Sequence, residues 1–245
     1  MYNYRIVLSF DGTRYFGWQR LKENDSTLQG KIEKCIFEMT GYKVDICGCG
    51  RTDAGAHALN YTANFFLKEE LEPLYIKKYL NTYLPHDINI SACERAPERF
   101  HARLNVRKKT YAYRIWNSEE HNVFEHRYLY EFPQKLDLSK MEEAKEFFIG
   151  THDFAAFCSN KRCKKSTVRT IYDIEIIDSF PEIKIIYTGS GFLYNMVRIL
   201  TGTLVEIGID KKTSQDINKI FESKERINAG FTVPAKGLIL TDVYY

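Results

Sequence analysis

Missing from this 245-residue chain are the motifs that announce most cofactor and metal chemistry. No GxGxxG opens a helix after the first strand, which argues against a doubly wound dinucleotide fold. There is no Walker motif, no nucleophile elbow and no HExxH pair. The six cysteines include no CxxC pair, so forcing Cys47-x-Cys49 with His57, or Cys158 with Cys163, into a zinc site does violence to the spacing. Linkers of low complexity and short repeats are lacking. The opening Met-Tyr-Asn-Tyr-Arg-Ile-Val-Leu-Ser-Phe has only a short apolar run before Asp11-Gly12, so neither a signal peptide nor a membrane span is expected there. Cysteines without a secretory signal are then expected to be reduced thiols in the cytoplasm.

What is present describes an ordinary soluble chain: 44% hydrophobic and 27% charged residues exclude a disordered one. Net charge is only +3, but the bases are unevenly placed. Arg99, Arg103, Arg107, Lys108, Lys109 and Arg114 form one stretch without an acid, with His101 among them. Lys161, Arg162, Lys164, Lys165 and Arg169 form another. A single charge run is usually a solvated face; two with aromatics nearby make a polyanion such as nucleic acid a serious partner.

Strands are expected at 4–10, 44–47, 57–66, 88–96, 109–116, 168–177, 183–188 and 238–244. Ser26-Thr27-Leu28-Gln29 reads as a capping box with Ser26 as N-cap, opening a helix that stops at Gly41. Pro73 is placed to start a helix through Leu84 whose apolar side carries Tyr75, Tyr79, Leu80 and Tyr83. Further helices are expected over 138–149, over 192–207 and from about Ser214. Strands and helices mix without strict alternation, which points to α+β with a largely antiparallel sheet. The vocabulary repeats in two halves, 1–105 and 106–245.

Three residues stand out chemically. Asp53 sits in Gly48-Cys-Gly-Arg-Thr-Asp-Ala-Gly-Ala-His57, between two strands, in a turn that its glycines make tight and open to close approach. An Asx-turn with its own backbone is the simpler use of such an Asp. In the strand that follows, Leu59, Tyr61, Ala63 and Phe65 alternate with Ala58, Asn60, Thr62 and Asn64, the period of a half-buried strand. Arg198 lies mid-helix among Met196, Val197, Ile199 and Leu200, and a helix apolar all round is buried. A desolvated guanidinium needs a partner; a structural pair or a snorkelling side chain competes with an ion pair that keeps Asp53 ionised. Tyr111, just beyond Arg107-Lys108-Lys109, is either an ordinary strand tyrosine or a stacking platform for a base drawn out of its helix.

Together these residues closely resemble the TruA family of tRNA pseudouridine synthases. Gly50-Arg-Thr-Asp-Ala-Gly-Ala-His-Ala58 carries the signature. Phe16-Gly-Trp-Gln-Arg20, Thr27-Leu-Gln-Gly30, Phe100-His-Ala-Arg103, Lys109-Thr-Tyr-Ala-Tyr-Arg114, Gly150-Thr-His-Asp-Phe154, Thr167-Val-Arg-Thr-Ile171, Gly191-Phe-Leu-Tyr-Asn-Met-Val-Arg198 and Pro234-Ala-Lys-Gly-Leu238 match in order over nearly the whole chain. Cys49, Ala56 and Asn60-Tyr61 depart from the usual residues without removing a catalytic group. The resemblance implies a pseudouridine synthase fold: two similar halves sharing a largely antiparallel sheet flanked by helices, with the cleft between them. It implies isomerisation of uridine at positions 38, 39 and 40 of the tRNA anticodon stem-loop, needing no cofactor or metal. Asp53 would attack the nucleotide, Arg198 pair with Asp53, Tyr111 stack on the flipped uracil, and Arg51 help hold it out. It further implies a homodimer with tRNA lying across both subunits. The competing reading from another class is a non-catalytic RNA-binding module.

Overall fold

A computed structural model of the chain describes residues 1–21, 26–160 and 166–245. The chain divides into two compact units, Met1–Arg107 together with Ile239–Tyr245, and Lys108–Leu238.

In the first unit, β1 (Tyr2–Phe10) buries Tyr4, Ile6 and Leu8 on alternate positions. Helix α1 (Leu28–Thr40) packs Leu28, Ile32 and Ile36 into the same core. Burying each such side chain is worth roughly 1.5–3 kcal/mol. The helix is capped one residue later than the capping box suggests: Thr27, not Ser26, accepts from the backbone N–H of Gly30, at 3.3 Å. It ends as expected at Gly41, whose φ of 78° suits a residue without a Cβ. There follow β2 (Ile46–Gly48), β3 (His57–Leu67), α2 (Pro73–Tyr83) and β4 (Ile88–Arg95). On α2 the buried positions are Ile76 and Leu80, while Tyr75 and Tyr83 face solvent, their rings laddered through Tyr79.

The second unit holds β5 (Lys108–Trp116), the short β6 (Tyr130–Glu131), α3 (Leu138–Lys145), β7 (Gly150–Asp153), β8 (Val168–Ser179), β9 (Glu182–Gly189), α4 (Met196–Gly208) and α5 (Asp216–Ser223). Its strands run in the order β5-β9-β8-β7, with β6 on β5. Helix α4 starts at Met196 rather than at Phe192, because Asn195 turns into the left-handed region at φ 62°. Phe192 and Leu193 therefore belong to the approach, not to the helix.

The last strand, β10 (Leu238–Tyr244), was expected in the second half but pairs in parallel with β3, Ile239 against His57 and Leu240 against Ala58. The first unit's strands thus run β4-β1-β3-β10, with β2 also on β3. Within the units the pairings are antiparallel except β3–β10 and β5–β6. The architecture is α+β, mostly antiparallel, with flanking helices.

β3 corrects the half-buried reading. Leu59 is exposed, while Thr62 and Asn64 on the expected polar side are buried. Asn64 is accommodated by polar partners: its Nδ2 donates to Asn3 Oδ1 at 3.0 Å and its Oδ1 accepts from Ala102 N at 2.8 Å. Asn3 in turn donates to the carbonyls of Pro97 and Phe100. These bonds pin the His101-Ala102-Arg103 segment onto the strand. Asn64→Ala leaves a buried amide N–H and the Asn3 carbonyl oxygen without partners, which costs about 1–3 kcal/mol each. Urea unfolding is expected to show a loss of that order; a variant as stable as the parent would contradict this account of the polar face.

Candidate active site

Residues 49–56 connect β2 to β3 and carry Asp53. The loop is tied from below: Cys49 N donates to Thr62 O at 2.8 Å, and the Tyr61 phenol donates to Gly50 O. Trp18 stacks on Tyr61 with ring centroids 4.1 Å apart. A Cβ on Gly48 would run into both side chains, which is why that strand end has none. From above, the segment 11–18 lies along the loop backbone to backbone. Trp18 N donates to Thr52 O and Gly55 N to Tyr15 O, both at 3.3 Å, so the residues on either side of Asp53 are held. Ala56 N closes the turn on Asp53 O at 3.2 Å. Gly17, at φ 83°, comes so close to Thr52 O that a Cβ would collide with it, and Gly12 approaches Ala56 O in the same way. Tyr15 is itself fixed by donating to Asp87 Oδ1 at 2.6 Å; burial, reinforced by that carboxylate, pushes its phenol well up, so it remains a donor. Asp53 is half-buried on this clamped turn and Arg51 is exposed.

Arg51 is steadied by a residue that sequence reasoning gave no role. Its Nε donates to Gln19 Oε1 at 3.3 Å. Gln19 donates to Gln29 Oε1, which also accepts from Arg20 N, and Gln29 donates to buried Glu33. Glu33 closes the network by accepting from Ile46 N and pairing with Arg20 at 2.9 Å. The signal was in the sequence only as the motif pair Phe16–Arg20 and Thr27–Gly30, whose members meet here.

The second unit carries Tyr111 and Arg198. Tyr111, on β5, is half-buried, lies opposite buried Tyr187 in register, and packs perpendicular to Phe192 with centroids 5.1 Å apart at 84°. Gly189 leaves the room for that ring: a Cβ there would stand 3.2 Å from Phe192. Arg198 is half-buried rather than fully desolvated. Its Nε donates to Val233 O at 2.7 Å and its Nη1 to Asn195 Oδ1 at 3.0 Å. The segment bearing Val233 is fastened to β5 by Tyr113, whose hydroxyl donates to Pro234 O at 2.7 Å. Burial pushes the Tyr113 phenol well above its ordinary range, while the Arg198 charge pulls it the other way. Arg51 and Asp53 thus share one loop of the first unit, and Tyr111 and Arg198 share the second. The supporting roles of Phe192 and Asn195 were hidden because the apolar run 192–207 read as one helix, and Val233 acts through its backbone carbonyl, which no side-chain pattern reports.

The first basic stretch is only partly available to an anion. Arg99, Arg103 and Arg107 are exposed, but Arg114 is taken by Glu182 at 2.6 Å and Glu125 at 2.9 Å. That guanidinium holds the Glu182 carboxyl below its usual range. Of the second stretch, Lys161, Arg162, Lys164 and Lys165 lie outside the described residues, as does Cys163. Cys35, Cys47, Cys93 and Cys158 are free thiols, and burial pushes Cys93 up to about 12. Among the described residues no three His, Cys, Asp or Glu side chains cluster as a metal site would require.

The family profile described as tRNA pseudouridine synthase matches residues 6–105 and 144–245. The chain is 45% identical over 245 residues to tRNA pseudouridine synthase A 2 of Bacillus cereus, covering all of both. It is 46% identical over 245 residues to tRNA pseudouridine synthase A 1 of Clostridium tetani, again covering all of both.

Gly17 and Gly41 make a matched pair for testing the clamp, since both have φ near 80° but only Gly17 has a neighbour where a Cβ would go. Placing Ala in the left-handed region costs about 1–2 kcal/mol at either position. Gly17→Ala is expected to lose more than Gly41→Ala in urea unfolding, by the additional collision with Thr52 O. Equal losses would show that the close approach does not hold the loop.

Proposed function

The chain belongs to the tRNA pseudouridine synthase family, isomerases acting on tRNA, and we propose that it converts uridine to pseudouridine at one or more of positions 38, 39 and 40 of the anticodon stem-loop with Asp53 as nucleophile. The observation that carries this reading is the Asp53 turn itself, a carboxylate on a loop whose backbone is held at Thr52 and Gly55. Holding a nucleophile in reacting geometry removes much of the entropic cost of attack.

In the proposed reaction the Asp53 carboxylate attacks the target nucleotide and the bond from N1 to C1′ breaks. The uracil turns while still enclosed, C5 bonds to C1′, the bond to Asp53 breaks and returns the carboxylate, the proton leaves C5, and N1 gains one. Nothing is oxidised and no water is consumed, so the chemistry calls for no cofactor or metal. Arg198 pairs with Asp53 and keeps it charged, as a nucleophile must be. Tyr111 stacks on the flipped base, with the Phe192 ring set perpendicular to its own, close to the proton lost from C5. Arg51, steadied by Gln19, holds the nucleotide out of the stem. Extruding a base costs a few kcal/mol, which exposed Arg99, Arg103 and Arg107 help to offset on the flanking phosphates. The same reading takes the enzyme as a cytoplasmic homodimer with tRNA lying across both subunits.

Release of label from tRNA carrying tritium at uridine C5 tests the chemistry. Asp53→Asn is expected to bind tRNA as the parent does and to lose at least about 10³-fold in rate, as for removal of other enzymes' nucleophiles. Undiminished release would contradict the assignment; tight, salt-sensitive binding by the parent with no pseudouridine formed would instead support a binding module. Tyr111→Ala should cost about 1–3 kcal/mol of stacking, and Tyr111→Phe should retain that part, as titration of tRNA binding would register. Equal affinities for Tyr111→Ala and the parent would remove Tyr111 from the base.

A further inference from the structure

Asn195 occupies the N-cap position of α4, yet it does not act as a cap. Its side chain makes no bond to a backbone N–H of the first turn, and its backbone sits at φ 62°, where caps are normally extended. Left-handed residues other than glycine are uncommon, and such outliers concentrate where surrounding structure has a use for them. Here the carboxamide is diverted to Arg198, at the third position of the helix: Oδ1 accepts from Nη1 at 3.0 Å. Because arginine can only donate, the atom facing it must be the amide oxygen. The amide nitrogen points the other way and donates to Ser159 Oγ at 2.9 Å, while Ser159 N donates to Tyr194 O at 3.2 Å. With Nε bound to Val233 O, two donors of one planar group are fixed from two separate segments of the chain.

We propose that Asn195 is a positioning residue for the isomerisation: its left-handed backbone and Ser159-anchored carboxamide set the plane in which Arg198 presents its guanidinium to the nucleophile. This rests on the reading of Arg198 as the partner of Asp53. The helix forgoes its ordinary cap because the capping oxygen is needed on the arginine. Glycine at 195 keeps the left-handed backbone and removes the oxygen, whereas aspartate keeps an oxygen acceptor in the same place. The pair therefore separates the backbone from the side chain.

Single-turnover rates on tRNA, with tRNA affinity and thermal stability measured alongside, decide the matter for Asn195→Gly, Asn195→Asp, Arg198→Ala and the double variant Asn195→Gly/Arg198→Ala. Asn195→Gly is expected to slow the rate by roughly 10- to 100-fold, the scale of a small misplacement at a reacting centre, with affinity unchanged. Asn195→Asp should recover most of that rate, and Asn195→Gly should cost nothing further once Arg198 is alanine. A parental rate for Asn195→Gly while Arg198→Ala is impaired overturns the positioning role alone. So does an equal loss from Asn195→Gly in both backgrounds. A parental rate for Arg198→Ala overturns the reading of Arg198, and the role of Asn195 with it.

Discussion

The close backbone approach of segment 11–18 to the Asp53 turn is the constraint on which the first unit's site depends. Two glycines make it possible, because Gly12 and Gly17 lie where no Cβ fits against Ala56 O and Thr52 O. A loop carries a high entropic cost of ordering, and hydrogen bonds at Thr52 and Gly55 meet it on either side of the carboxylate. Tyr61 and Trp18 support the same turn from the strand beneath. The result is a loop whose backbone is fixed on both sides of its carboxylate.

The second unit achieves the same end by other means. Arg198 stands on a helix, so its Cα is already fixed, and what needs fixing is a long side chain. Val233 O and Asn195 Oδ1 do so, at the expense of a regular helix start. Tyr113, through Pro234 O, keeps the Val233 segment against β5, the strand that also bears Tyr111. One strand thereby places Tyr111 and anchors the segment that steadies Arg198. In each unit a backbone carbonyl is part of the support, which ties these residues to the fold rather than to surface side chains.

How much of this was legible beforehand varies with the kind of signal. Glycine punctuation and strand alternation placed the Asp53 turn, and Pro73 and Gly41 marked real helix ends. The start of α4 was hidden because Phe192 and Leu193 continue the apolar run of the helix, and a left-handed Asn leaves no trace in periodicity. Asn64 read as solvent-facing because alternation reports polarity, not burial, and a polar side chain with enough partners can be buried. The tyrosines of α2 read as core because aromatic rings look apolar to a periodic pattern, yet Ile76 and Leu80 fill that role. The placement of β10 beside β3 is a long-range pairing that no local signal records. Arg114 counted toward a basic patch, but Glu182, from a strand far along the chain, and Glu125, from the segment just beyond β5, neutralise it.

The central claim is that Asp53 acts as an ionised nucleophile paired with Arg198. A crystal structure of the enzyme bound to a tRNA anticodon stem-loop tests it most directly, through the distance between the Asp53 carboxylate and the Arg198 guanidinium. The account predicts ion-pair contact, within ~4 Å, with the target uridine extruded between Asp53 and Tyr111. A complex in which Arg198 points into solvent, or in which Asp53 faces away from the extruded nucleotide, would contradict it.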